Sequence, residues 1–142
     1  MKYKSVLLVV EDIEKSRYLY ETVFSQKIVA NYGEEISFDG FSIHQRKHFE
    51  KLLNIKVKFQ TNSSELYFED DDLEKISSLI KENHLTLVHD IIEQPWKQKA
   101  IRFYDYDKNL IEVGEPFENM AYRLYKEKYP VEDVLKLSFG HL

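Results

Sequence analysis

The strongest constraint on the fold is an internal repeat. Residues 12–16 (DIEKS) recur as residues 72–76 (DLEKI), sixty positions later, and residues 39–45 (DGFSIHQ) match residues 107–113 (DKNLIEV) without a gap, sixty-eight positions later. In both copies the first block follows an apolar stretch and opens a helical pattern, and the second joins turn residues to a strand. A helix start of this kind also recurs by chance, but two blocks in the same order favour a duplication.

Each copy of the repeat reads as one strand, one helix and three strands, which predicts an α+β fold of two tandem βαβββ modules. We expect one domain over residues 1–116, with module one at about 1–46, a linker at about 47–62 and module two at about 63–116. The alternation of residues 55–59 predicts a short strand inside the linker.

The residues after Pro116 predict a C-terminal helical extension, residues 117–142. Apolar residues recur there at helical spacing, and Pro130 divides the segment into two short helices. We expect this extension to pack on the domain or to contact a second subunit.

Composition removes several classes of function. The chain has 20 Lys and Arg against 25 Asp and Glu, a net charge of −5, which argues against nucleic-acid binding because phosphates require a basic face. It has no Cys, which excludes disulfides, thiol nucleophiles and cysteine zinc sites. The first apolar run, residues 6–10, is followed at once by Glu11 and Asp12 and fits neither a signal peptide nor a membrane span. We therefore expect a soluble, cytoplasmic protein with no nucleic-acid or membrane partner.

The run over residues 95–115 (PWKQKAIRFYDYDKNLIEVGE), together with the paired units and the DIEKS helix start, resembles the closing strands of the vicinal oxygen chelate superfamily. That group includes glyoxalase I, bleomycin-resistance proteins, fosfomycin-resistance enzymes and extradiol dioxygenases. The resemblance spans residue 1 to about residue 115 and leaves the extension outside. It implies that the curved sheets of the two modules enclose a cleft, and that the chain forms a homodimer.

The resemblance also implies a metal site. Active members hold a divalent ion with His or Gln on the first strand, Glu or His on the fourth, His on the fifth and Glu on the eighth, and the ion chelates two neighbouring substrate oxygens. The repeat carries these positions onto Ser5, His44, Glu65 and Glu112. Strand alternation places the same side chains on the face away from the helices. The match is poor, because a serine hydroxyl is a weak metal ligand.

The candidate metal ligands are therefore His44, Glu65 and Glu112, for a Zn, Ni, Mn or Fe ion, and a site without any metal is the alternative. Glu112 is the best catalytic candidate, although a carboxylate there also serves as a hydrogen-bond acceptor in a pocket. Glu65 lies beside the acidic run 69–72, which favours a solvated face, and a lone histidine such as His44 is more often hydrogen-bonded than metal-bound. No metal-ligand spacing relates the remaining histidines, and we expect them to be incidental: His48, His84, His89 and His141.

Aromatic and charged side chains around these positions predict an organic ligand. Flat rings offer stacking surfaces, and an arginine offers a fixed cation. Ordinary packing is the alternative for the rings. The predicted pocket residues are Glu65, Tyr67, Trp96, Arg102, Tyr104 and Glu112.

Two functions follow from these residues. In the first, the chain is a small-molecule-binding protein of the glyoxalase/bleomycin-resistance type, with no metal or an atypical one, whose acidic, aromatic cleft binds a cationic aromatic compound. In the second, it is a divalent-metal-dependent lyase, isomerase or dioxygenase acting on a substrate with vicinal oxygens. The missing first-strand ligand favours the binding protein, whereas the retained His44 and Glu112 favour the enzyme.

Overall fold

The structure, a computed structural model, describes residues 1–140. Within that range the chain forms eight strands: β1 (Val6–Val10), β2 (Ile28–Asn31), β3 (Glu35–Phe38), β4 (Phe41–Gln45), β5 (Glu65–Glu69), β6 (Leu87–Glu93), β7 (Lys99–Tyr104) and β8 (Leu110–Gly114). Five α-helices accompany them: α1 (Ile13–Arg17), which continues as a π-helical turn (Tyr18–Val23), α2 (Arg46–Leu53), α3 (Leu73–Glu82), α4 (Phe117–Lys126) and α5 (Val131–Phe139).

The strands form two four-stranded sheets with the same topology. One has the order β1-β4-β3-β2 and the other the order β5-β8-β7-β6. In each sheet the first and last strands of the module pair in parallel, and the other pairs are antiparallel. The predicted α+β fold of two βαβββ modules is therefore confirmed.

The chain divides into two compact units. The first unit comprises residues 1–61 with residues 106–109, and the second comprises residues 62–105 with the described residues that follow residue 109. The short segment 106–109 joins the first unit because Asp107 accepts a hydrogen bond from the backbone N–H of Glu11 at 3.0 Å. The Tyr106 ring also lies under the Lys15 ammonium group.

The repeated aspartates begin the two equivalent helices. The Asp12 carboxylate accepts a hydrogen bond from the Lys15 N–H at 3.0 Å, and Asp72 does the same for Lys75, also at 3.0 Å. Each carboxylate thereby satisfies one backbone donor that the first helical turn leaves without an internal partner. The sequence repeat thus reports a real structural equivalence.

Each unit has its own apolar core. In the first unit the buried rings of Tyr20, Phe38 and Phe41 contact one another. In the second unit the inner strands β7 and β8 contribute Ile101 and Ile111, both fully buried. These two strands are the most enclosed of their sheet, so polar side chains on them must find partners inside the fold.

The linker does not contain the short strand predicted over residues 55–59, and that prediction is wrong. Helix α2 occupies the first part of the linker, and no strand follows before β5. The backbone N–H of Val57 donates instead to the Glu50 carboxylate at 2.8 Å, so a side chain takes the place of a neighbouring strand.

The predicted helical extension is present as α4 and α5. Pro116 and Pro130 directly precede the two helices, at positions where a missing N–H costs nothing. Met120, Leu124 and Val134 form a small buried cluster between them. Across residues 1–140, every helix is too short or too polar to cross a lipid bilayer.

Replacing Asp12 or Asp72 with alanine should lower the free energy of unfolding by about 1 kcal/mol in each case, because one N-terminal backbone donor loses its acceptor. Urea denaturation measures the change. Ser78→Ala, at an exposed position on α3, is the control. If the aspartate variants behave like the control, the capping bonds contribute nothing measurable.

Candidate functional site

Four polar side chains lie in one row across the sheet of the second unit. Tyr67 on β5 is the register partner of Glu112 on β8, Glu112 is the partner of Arg102 on β7, and Arg102 is the partner of His89 on β6. Because neighbouring strands are about 4.8 Å apart, register partners lie beside one another on the same face. The sheet therefore brings an acid, a base and two ring side chains together.

Arg102 lies between two of the predicted site residues. Its Nη2 is 2.5 Å from Oε1 of Glu112, and its Nε is 3.5 Å from Oε2 of Glu65. The Glu112 side chain is only 6% exposed, whereas Glu65 is 35% exposed. Glu112 is thus the tightly held partner of Arg102, and Glu65 is the loosely held one.

The remaining contacts of Arg102 go to two residues that the sequence did not single out. Its Nη1 donates to Nε2 of His89 at 3.0 Å and to Oε1 of Gln94 at 3.1 Å. The Nδ1 of His89 lies 2.8 Å from the backbone carbonyl of Asp90, which only accepts, so Nδ1 carries the proton and Nε2 presents its lone pair to the guanidinium. His89 is therefore part of the site, contrary to the expectation that it is incidental.

The two carboxylates influence each other. Burial raises the pKa of the Glu65 carboxyl, and the hydrogen bond and negative charge of Glu112 raise it further, while Arg102 opposes the shift. One arginine against two carboxylates leaves this cluster short of positive charge. A proton on Glu65, or a cation brought by a ligand, relieves that deficit.

A second network orients the aromatic residues. The Tyr67 hydroxyl donates to Oε2 of Glu69 at 2.8 Å and accepts from the Gln98 amide at 2.8 Å. The Trp96 indole N–H donates to Oε1 of Gln98 at 2.9 Å. Burial, with the Glu69 contact, raises the pKa of Tyr67 to about 12, so the phenol stays protonated at neutral pH. Gln98 is buried and fixes both rings.

Gly114 is the residue that makes room for this network. A Cβ at this position would overlap the amide nitrogen of Gln98 and press against the Tyr67 hydroxyl. Only glycine, which has no side chain, leaves that space. The glycine in the LIEVG segment therefore serves the orientation of the rings.

The structure places all six predicted pocket residues in the second unit. Both Tyr67 and Trp96 remain well exposed, at 45% and 39%, so their rings are open to a ligand. Tyr104 lies farther along β7, where its hydroxyl donates to Oδ1 of Asn62 at 2.7 Å. Ion pairs with Arg102 join Glu65 and Glu112 in one cluster. Hydrogen bonds to Gln98 join Tyr67 and Trp96 in another.

His44 belongs to the first unit, where it forms a separate polar chain. Its Nε2 is 2.7 Å from Nδ1 of His48, and Nε2 of His48 is 2.7 Å from the Glu34 carboxylate. The Nδ1 of His44 lies 3.3 Å from the Glu35 carboxylate, within ion-pair distance, but the two groups do not form a hydrogen bond. His48, like His89, is therefore engaged rather than incidental. Of the two other histidines, His84 is an exposed residue just after α3, and His141 lies outside the described residues.

The strand pairing places the first-strand ligand position at Leu7 and not at the predicted Ser5. Leu7 pairs with Ser42 in the first unit as Glu65 pairs with Leu110 in the second. Leu7 is therefore the residue of the first unit that is equivalent to Glu65, whereas Ser5 precedes β1. The helix caps had suggested Ser5, because the connection from the first strand to the helix is two residues longer in the second unit. A leucine side chain has no atom that can bind a metal ion, so this position is an even poorer ligand than serine.

The side chains present do not fit the divalent metal that the resemblance implies. Among residues 1–140, no three His, Asp or Glu side chains are grouped as metal ligands. In the second unit the reason is visible, because the Arg102 guanidinium lies against both Glu65 and Glu112. As arranged, these groups suit an internal cation and do not suit a metal ion.

Glu112→Gln should lower the free energy of unfolding by about 1–3 kcal/mol, because the amide leaves the Arg102 charge without its nearest counter-charge. Glu65→Gln should cost less, since its carboxylate is farther from Arg102 and partly screened by water. Urea denaturation of both variants measures the difference. Equal costs would contradict the assignment of Glu112 as the tightly held partner.

The raised pKa of Glu65 predicts a pH dependence. The folded state binds this proton more tightly than the unfolded state, whose reference value is 4.5, so the stabilisation is present below that pH and is lost as the pH rises through the folded-state pKa. Glu65→Gln removes the effect, so the stability of the variant relative to the parent should rise as the pH increases above 4.5. Thermal melts across this range measure it. Glu82→Gln, at an exposed position, is the control, and a Glu65→Gln difference that is flat with pH would refute the assignment.

The family model described as a glyoxalase-like domain matches residues 3–118, well over half of the chain. No curated protein matches the sequence.

Solved structures share the fold. A protein of unknown function from Agrobacterium tumefaciens str. C58 is 32% identical, covers 81% of this chain and 94% of its own, and has a TM-score of 0.71. A glyoxalase-related enzyme from Fulvimarina pelagi is 16% identical, with coverages of 81% and 88% and a TM-score of 0.67. The fosfomycin resistance protein FosX from Mesorhizobium loti is 18% identical, with coverages of 80% and 91% and a TM-score of 0.59. The chain therefore belongs to the glyoxalase-like domain family.

Proposed function

We propose that this chain binds a small organic molecule on the sheet face of the second unit, and that it does so without a divalent metal. The observation that carries the proposal is the position of Arg102, which is paired with Glu112 at 2.5 Å and with Glu65 at 3.5 Å. Two of the three candidate metal ligands thus already have a counter-charge from within the chain.

The aromatic side chains support a planar ligand. The exposed rings of Tyr67 and Trp96 are held in fixed orientations by the buried Gln98 amide, so a stacking ligand does not have to pay the entropy of ordering them. Orientation before binding is a feature of sites that recognise small molecules. Ordinary core packing does not account for two rings that are this exposed.

The charges support a ligand that carries a cation. Glu65 and Glu112 together outnumber Arg102, and the raised pKa of Glu65 reflects both burial and the neighbouring carboxylate. A ligand ammonium or similar group beside Glu65 supplies the missing positive charge through a charge-assisted hydrogen bond. The ligand class that fits best is therefore a cationic aromatic compound, bound with an affinity that falls as salt is added.

The metal-dependent lyase, isomerase or dioxygenase is the weaker candidate. Such an enzyme would need Glu65 and Glu112 to exchange Arg102 for a metal ion. The names of the solved structures with the same fold include enzymes, but identities of 16–18% support the fold alone. The homodimer implied by the resemblance stays a prediction that light scattering can test.

A ligand screen tests the binding proposal. Trp96 is the single tryptophan of the chain, so its fluorescence reports on this site alone. Cationic aromatic compounds should change its emission, and Glu65→Gln should weaken the binding of a hit about tenfold, because one charge-assisted contact is lost. Glu118→Gln, which removes an exposed carboxylate on α4, is the matched control.

Two outcomes would count against the proposal. The first is a screen of cationic and neutral aromatic compounds that changes neither the Trp96 emission nor the melting temperature. The second is a hit that binds equally to the parent, Glu65→Gln and Trp96→Leu proteins by calorimetry, which would place the ligand elsewhere.

A further inference from the structure

Arg102 contacts four side chains, and each of them presents a lone pair to its guanidinium. They are the carboxylates of Glu112 and Glu65, the unprotonated Nε2 of His89 and the amide oxygen of Gln94, at 2.5, 3.5, 3.0 and 3.1 Å from guanidinium nitrogens. Carboxylates, a neutral imidazole and an amide oxygen are also ligands that divalent metal ions take in proteins. All of them belong to the second unit and surround one positive group.

His89 is oriented in the way that a metal-binding histidine is oriented. Its Nδ1–H donates to the carbonyl of Asp90 at 2.8 Å, which fixes the tautomer and turns the Nε2 lone pair toward the centre of the cluster. Histidines that bind metals usually donate their other ring N–H to a carbonyl or carboxylate. The lone pair here meets an arginine N–H instead.

We propose that Arg102 is an internal cation in a latent metal site, and that Glu65, His89, Gln94 and Glu112 bind Zn²⁺ once its guanidinium is removed. The inference rests on the proposed function in one respect, the absence of a metal requirement, and it gives the physical cause. Metal–ligand bonds are about 2.0–2.2 Å, so the donors must move inward, and the space left by a shortened side chain allows that movement.

A second arginine offers a natural comparison. Arg46 in the first unit also bridges two carboxylates, with its Nη2 2.8 Å from Glu11 and its Nη1 3.1 Å from Glu50. Within the described residues the hydrogen bonds of Arg46 go to carboxylates and not to an imidazole, and the Glu11 side chain is 48% exposed. Two carboxylates without a histidine are a weaker zinc site, so removal of Arg46 should not create one.

The experiment is a zinc titration by calorimetry of the whole chain, with the ion itself as the probe. Arg102→Ala should bind about one Zn²⁺ per chain at least about tenfold more tightly than the parent, and Zn²⁺ should raise its melting temperature. Arg102→Lys, which keeps a cation in place, and Arg46→Ala should both behave like the parent. Adding His89→Ala or Glu112→Gln to Arg102→Ala should abolish the gain.

Three results would overturn the inference. The first is a folded Arg102→Ala protein whose zinc affinity equals that of the parent. The second is a parent protein that binds one Zn²⁺ in a Glu112-dependent manner while Arg102 is present. The third is an equal gain in Arg46→Ala.

In Arg102→Ala the carboxylates of Glu65 and Glu112 lose their shared counter-charge, and their repulsion can prevent folding. If Arg102→Ala folds only when Zn²⁺ is added, the inference is supported. If it folds under neither condition, Arg102→Met, which keeps the apolar stem without the charge, decides the question by the same titration.

The result is separable from that of the ligand screen. A gain of zinc binding in Arg102→Ala together with a failed Trp96 screen would leave the latent metal site standing and remove the proposed ligand. Ligand binding by the parent protein together with no zinc gain in the variants would do the reverse.

Discussion

The ion pair between Arg102 and Glu112 is the interaction on which the rest of the site depends. Both residues lie on inner strands of the second sheet, and the Glu112 side chain is almost fully buried. A carboxylate in such a position keeps its charge only when a partner of opposite charge stays beside it. Strand register supplies that partner, and the same register places Tyr67 and His89 at the two ends of the row.

The duplication keeps the scaffold and changes the chemistry. His44 faces Glu35 across β3 and β4 as Glu112 faces Arg102 across β7 and β8, so the two units hold an acid and a base at equivalent places in opposite order. Backbone pairing needs no particular side chain, whereas each buried polar pair needs complementary groups. A duplicated fold can therefore diverge in function through pairs of residues without losing its topology.

Sequence alone predicted the parts that follow from local periodicity. The capping aspartates, the two βαβββ modules and the face of Glu65, Tyr67 and Glu112 all follow from spacing and strand alternation. The approach of His89 to Arg102 does not, because the pairing of β6 with β7 shifts register on both sides of His89. Bulges of this kind depend on the packed sheet, and so no count along the chain could have found the histidine.

The chain of contacts around His44 has more contacts than imidazole protons to fill them. Three contacts join Glu35, His44, His48 and Glu34 in series. Ionised carboxylates donate nothing, so three hydrogen bonds would need three imidazole protons, and two neutral imidazoles carry only two. A neutral pair therefore leaves one of the three contacts without a proton, and Nδ1 of His44 is indeed a buried atom without a hydrogen-bond partner. The first unit thus leaves one proton position unfilled in the buried pair that the second unit completes with the permanent charge of an arginine.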